Sequence, residues 1–191
     1  LHEPYRRQRQ MCIRDRMKCI RFEANGNKRI GFIDGDVVRT VYGSLETFWR
    51  ITDEVFRLED VKLLAPCVPK QIICVGFNYR SHAEEFHAEV PKEPMLFSKA
   101  AHTIIGDGAA IVYPWQSKEV VYEAELGVVI KKRMRNVKPE DVKDYILGYT
   151  CANDVTARDC SLTMCSGCAA NPSILSARWA PGLKQTLIRQ T

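Results

Sequence analysis

The sequence predicts a mainly β protein with short helices, an α+β architecture in which a small β unit precedes a larger β-rich one. Short apolar, β-branched runs recur along the chain, separated by Asn-Gly, Asp-Gly and proline signals, the pattern of strands joined by tight turns. Helix-start signals are few and each opens only a short segment. The 191 residues, 46% apolar and 27% charged, suit a core-forming protein with room for one ordinary domain, or a medium one and a small one.

In chain order, residues 18–23, 29–33 and 36–41 read as strands, with turns at Asn25-Gly26-Asn27 and Asp34-Gly35-Asp36. Residues 44–50 are expected to form a short helix capped by Ser44. Val61–Leu64 is a further apolar stretch, and Pro66 and Pro69 mark a boundary. Residues 17–66 therefore form the small N-terminal unit. Ile72-Ile73-Cys74-Val75 is a strand running into Gly76-Phe77-Asn78-Tyr79. Ser81 is expected to cap a helix from His82 to Glu89, before Pro91. Met95–Phe97, Ile104–Ile105 and Ala110–Tyr113 read as strands, and Val120–Ile130 as the longest one. Pro139 opens a short helix with Glu140 and Asp141 in its first turn, where the helix dipole favours acids. Ile146–Val155 is the next strand.

The net charge of +5 is confined to the ends: residues 1–16 carry +3, residues 160–191 carry +3, and the middle carries −1. A nucleic-acid surface needs its basic residues clustered on folded structure, so no nucleic-acid partner is expected. The apolar runs are too short to span a bilayer, and no basic start leads into an apolar signal segment. The eight cysteines show no paired framework spacing, and Cys74 and Cys151 lie in apolar runs. A reducing, cytoplasmic setting is expected. Cys165-Ser166-Gly167-Cys168 is a lone C-x-x-C: no His follows His102 to complete a zinc site, and no βαβ context supports a redox pair.

Glu123 and Glu125 sit two apart in an apolar strand, and so on one face of it. Either a hard divalent cation lies between them, or this is the solvated face of an edge strand. Asp154, a lone acid in a second apolar strand, supports the cation. His82 and Glu85 are three apart, neighbours on one helix face. They form either a base pair able to activate water or incidental surface charges. Lys99 is either a substrate-carboxylate contact or a surface lysine.

Three stretches carry a resemblance. Gly76-Phe77-Asn78-Tyr79-Arg80-Ser81-His82-Ala83-Glu84-Glu85 resembles the G-x-N-Y-x-x-H-x-x-E segment of the fumarylacetoacetate hydrolase family. Tyr122-Glu123-Ala124-Glu125-Leu126 resembles its E-x-E strand. Asn153-Asp154-Val155-Thr156-Ala157-Arg158-Asp159 resembles its N-D-x-T-A-R-D segment. The order is the family's, and residues 17–66 resemble the small N-terminal domain of bacterial members. The resemblance implies a mixed β-roll, incomplete here, and Mg²⁺ or Mn²⁺ held by Glu123, Glu125 and Asp154. It implies a His82–Glu85 dyad on a segment that closes over the site, with Tyr79, Lys99 and Arg158 as substrate contacts. It further implies a homodimer and a small 2-oxo or 1,3-diketo acid substrate that is cleaved, decarboxylated or isomerised.

Two segments depart from the pattern. Residues 1–16 contain Met11–Arg16 (MCIRDR), which resembles the translation of a sequencing-adapter or transposon-end sequence, and are expected to be a non-native leader. After Asp159 acidic residues vanish. Read two nucleotides forward with suitable codons, the text from Cys165 to Thr186 becomes QWLRSKSFDTFCPLGPGIETD, close to the family's continuation. Residues 160–191 are accordingly expected to be an out-of-frame tail. Residues 67–159 are then the N-terminal part of the catalytic domain, and the family's later lysine is missing.

Overall fold

The structure, a computed structural model, describes residues 18–85, 87–163, 177–179 and 183–184. The expected leader lies outside the described residues, as does most of the expected tail.

The N-terminal unit is an antiparallel meander of β1 (Lys18–Ala24), β2 (Asn27–Asp34), β3 (Val37–Gly43) and β4 (Trp49–Arg57), with β5 (Lys62–Leu64) on the other side of β1. Asn25 and Gly26 both take positive φ, 52° and 74°, as a two-residue type I′ hairpin turn requires. Burial along β1 sends Cys19 to one core cluster and Ile20, Phe22 and Ala24 to another, so the strand is covered on both faces. Phe22 meets Phe56 edge-on at 5.7 Å between centroids, and Phe32 meets Trp49 at 5.0 Å. A Cβ on Gly31 would stand 2.6 Å from Val38 Cγ1 and 2.9 Å from Phe22 Cε1; only glycine lets β2 lie this close to the Phe22–Val38 contact.

Beyond Pro69, β6 (Ile72–Gly76) and β7 (Met95–Lys99) form a two-stranded antiparallel ribbon, joined by a segment containing helix α1 (Arg80–Glu85). The short β8 (Ile104–Ile105) and β9 (Val120–Val121) precede β10 (Ala124–Ile130) and β11 (Ile146–Asn153), an antiparallel pair linked through a 3₁₀ turn at Pro139–Tyr145. The chain then forms β12 (Thr156–Ala157), α2 (Arg158–Thr163), β13 (Ala177–Trp179) and β14 (Leu183–Lys184). The large sheet runs β4-β3-β2-β1-β14-β11-β13-β8, with β10 also on β11 and β5 on β1; β12 pairs separately with β9. Cys19, Phe32 and Val41 of the N-terminal strands share a core with Val129 of β10, joined by Leu147 and Ala152 of β11. The two parts of the chain are thus packed together.

The mainly β architecture stands, with five local corrections. Residues 44–50 are a turn and the start of β4, not a helix. Ser44 N–H donates to Phe48 O at 2.9 Å and Thr47 N–H to Ser44 O at 3.2 Å, while Trp49 is drawn onto Phe32; packing overrides the capping signal. Residues 110–113 form no strand: Val112 and Tyr113 are exposed and only Ile111 packs, against Val155 and Ala157. The 120–130 run is two strands in two different sheets, with Tyr122 and Glu123 between them. Finally, α1 begins at Arg80 and ends at Glu85, and β11 ends at Asn153, one residue before Asp154.

Candidate metal centre

The strand switch at residues 122–123 creates the site. Glu123 lies just before β10, Glu125 within it, and Asp154 just after the neighbouring β11. The β10–β11 register pairs Ala124 with Asn153, which sets Glu123 beside Asp154. Two backbone contacts lock this geometry: Asp154 N–H donates to Glu123 O at 2.8 Å, and Glu123 N–H donates to Asn153 Oδ1 at 3.0 Å. One carboxylate oxygen from each of Glu123, Glu125 and Asp154 lies within 4.8 Å of the other two. Asp154 is buried and the two glutamates are half-buried.

Two cations face this cluster. Lys99, at the end of β7, reaches Asp154 Oδ1 with its Nζ and lies 3.4 Å from Val155 O; both side chains of the pair are under a tenth exposed. Arg158 Nη2 donates to Glu123 Oε1 at 2.5 Å. Desolvation pulls the Lys99 ammonium below its usual pKa, opposed by the nearby Cys74, Glu123 and Glu125 charges. Burial pushes the Cys74 thiol up; Lys99 opposes this, and Glu125 and Glu123 add to it. Cys74 in β6 therefore lies within the field of the cluster.

Each polar member of the 153–159 segment has a structural task. Asn153 holds the Glu123 backbone, and Thr156 Oγ1 donates to Asp154 O at 3.2 Å. β12 pairs with β9, and Arg158 N–H donates to Glu119 O at 2.8 Å, so the segment runs along residues 119–123. Asp159 receives Ser117 Oγ at 2.6 Å, Lys118 N–H at 2.7 Å and Cys160 N–H at 2.9 Å. The Ser117 bond, then that from the Lys118 backbone, holds the Asp159 carboxyl below its ordinary pKa. Sequence reasoning missed the supporting roles of Asn153, Ser117 and Asp159. The visible signal was a polar residue on each side of the buried Asp154–Ala157 stretch.

The remaining expected site residues lie on or next to α1. His82 and Glu85 both fall in this helix; nothing is described of the His82 side chain, and Glu85 is exposed. Ala83 anchors the helix in the protein at 1% exposure. The Tyr79 hydroxyl oxygen accepts from Leu126 N–H at 3.2 Å, immediately after Glu125. The structure thus brings Tyr79, Lys99, Glu123, Glu125, Asp154 and Arg158 to one region.

The donor set suits a divalent hard cation. Three carboxylates converge, and Lys99 and Arg158 leave one net negative charge among the five groups. Oxygen ligands of this kind are what Mg²⁺ and Mn²⁺ take.

Known proteins share this arrangement of sequence and fold. Residues 71–173 match the family described as fumarylacetoacetate (FAA) hydrolase C-terminal, and residues 17–66 match Rv2993c-like, N-terminal. An uncharacterized protein of Archaeoglobus fulgidus is 46% identical over 139 residues, 73% of this chain and 52% of that protein. The mitochondrial oxaloacetate tautomerase fahd2 of Xenopus laevis is 48% identical over 101 residues, 52% of this chain and 32% of that protein. Among solved structures, the 2-hydroxyhepta-2,4-diene-1,7-dioate isomerase of Mycobacterium marinum superposes with a TM-score of 0.77 at 27% identity, over 87% of this chain and 65% of that one. The fumarylacetoacetate hydrolase of Exiguobacterium antarcticum does so at 0.63 and 35% identity, over 75% and 57%. The chain spans between about a third and about a half of the curated relatives' lengths. With a match over more than half of its residues, both motif strands at the centre of the match and the same fold, the chain belongs to the fumarylacetoacetate hydrolase family.

Proposed function

We propose that the intact protein is a divalent-metal-dependent enzyme acting on C–C bonds or tautomers of small 2-oxo or 1,3-diketo acids. One observation carries this reading: three carboxylates within 4.8 Å of one another, bracketed by a buried lysine and an arginine. Glu123, Glu125 and Asp154 are the proposed ligands of Mg²⁺ or Mn²⁺. When bound, such a cation supplies Lewis acidity to a 2-oxo-carboxylate and favours its enolate.

The chain's own residues do the rest. Lys99 and Arg158, which pair with Asp154 and Glu123 at the rim of the carboxylate cluster, are the proposed contacts for substrate carboxylate oxygens. Tyr79, beside Glu125, is the third contact. His82 and Glu85, three apart on α1, are the proposed base and its orienting carboxylate: the imidazole takes a proton from water or from a carbon next to the carbonyl. Relatives named a tautomerase, an isomerase and a hydrolase support a small organic acid substrate.

The setting is proposed as cytoplasmic, supported by five free cysteines among the described residues. No helix among the described residues is long and apolar enough to cross a membrane. A homodimer is proposed because Ile73, Leu96 and Phe97 of the β6–β7 ribbon and Leu126 of β10 leave apolar surface exposed.

Turnover of oxaloacetate or an acylpyruvate with Mg²⁺, abolished by a chelator, supports the enzyme. Cation binding without turnover favours a second reading, a non-catalytic fragment that at most binds a divalent ion. Residues 1–16 are proposed as a foreign leader and 160–191 as an out-of-frame tail. An independent nucleotide read across codons 155–191 that restores the family segment supports the tail reading, and a continuous present frame refutes it.

A further inference from the structure

We infer that Tyr79 is a positioning residue: its hydroxyl, by accepting the Leu126 amide, fixes helix α1 against the strand that carries Glu125. Among the described residues β10 is paired on one side only, by β11. An unpaired strand edge leaves backbone N–H groups in need of acceptors. Tyr79 meets one of them, at 3.2 Å, one residue beyond a proposed metal ligand.

The local geometry explains why α1 needs such a tie. The helix is six residues long, too short to be stable alone. It is flanked by Phe77 and His87, both non-glycine residues at positive φ, 49° and 51°. Left-handed backbone is costly for residues with a Cβ, and persists only where surrounding contacts hold it. On the N-terminal side the Tyr79 carbonyl accepts Ala83 N–H at 3.3 Å and the Tyr79 hydroxyl accepts Leu126 N–H. Ala83 itself is buried, and its carbonyl accepts Ala88 N–H at 2.9 Å. Tyr79 therefore begins the helix with its backbone and ties it to β10 with its side chain. That this helix bears the base of a reaction rests on the function proposed above; the tie itself does not.

The test is amide hydrogen exchange on the full chain, without metal or substrate, comparing wild type with Tyr79→Phe. The variant removes one oxygen and keeps the ring. The Leu126 amide is expected to exchange about fivefold to tenfold faster, and residues 80–85 are expected to lose protection. Amides of Phe22 and Val38 are expected to stay unchanged, which a general loss of stability would not allow. Unchanged exchange at Leu126, or equal acceleration at all of these sites, would overturn the inference. Because no catalysis is read, failure here is distinct from failure of the proposed activity.

Discussion

Replacing Lys99 with methionine separates a metal centre from a purely structural ion-pair cluster. Lys99 and Asp154 are nearly buried, with side chains 9% and 6% exposed, so solvent screens their contact little. Removing one partner of a buried pair leaves the other charge uncompensated and costs about 3–5 kcal/mol. The loss is aggravated here because Asp154 also faces Glu123 and Glu125 within 4.8 Å. At an effective dielectric of about 20, each such like-charge pair repels by about 3.5 kcal/mol. In chelator, Lys99→Met is therefore expected to lower stability by about 3 kcal/mol or more, moving a urea midpoint by roughly 1.5 M for a slope near 2 kcal/mol/M. A divalent cation replaces the lost charge. At a Mg²⁺ concentration about 100 times its dissociation constant, linkage restores about 2.7 kcal/mol. Urea unfolding of wild type and variant, each in chelator and in Mg²⁺, reads all four values. A variant that Mg²⁺ does not rescue would refute the reasoning, because Lys99 would then be the only counter-charge that Asp154 is built for.

Other consequences follow from the same contacts. Glu125→Gln removes one carboxylate from the cluster, so stability in chelator is expected to rise while Mg²⁺ affinity by calorimetry falls at least about tenfold, or about 1.4 kcal/mol. The Asp159 pKa is depressed in the folded state. Its contribution is thus complete above the ordinary carboxylate range near about 3.9 and is lost as pH falls through the lower folded value. Asp159→Asn is expected to abolish that acid-side dependence and to speed exchange of the Lys118 amide at neutral pH. Phe22→Ala empties a fully buried position in the N-terminal core and is expected to cost about 3–5 kcal/mol in thermal or urea unfolding.

Much of the site was legible because its ligands lie in short, regular stretches. The spacing of Glu123 and Glu125, and the isolation of Asp154 among apolar residues, left a cation and a solvated edge-strand face both open, and only the family resemblance named the three as ligands. Same-face alternation was only part of the cause, since Glu123 stands outside the strand at the switch between two sheets. The lysine's role was open in the sequence because its partner is 55 residues away, and the Ser117–Asp159 contact, 42 residues apart, left no local trace. In the N-terminal unit, Asn25-Gly26 announced its hairpin through the backbone freedom those residues have. β4 was hidden because Ser44 resembles a helix cap. What decides the matter is the packing of Trp49 on Phe32, which no window around residue 44 contains.

The central claim is that Glu123, Glu125 and Asp154 together hold one divalent cation. Its most direct test is a Mn²⁺ titration of the chain followed by electron paramagnetic resonance, beside a variant carrying Glu123→Gln, Glu125→Gln and Asp154→Asn. Saturable binding of one Mn²⁺ per chain, displaced by Mg²⁺ and lost in the variant, is the expected result. Absence of saturable binding, or binding that the triple substitution leaves intact, would contradict it.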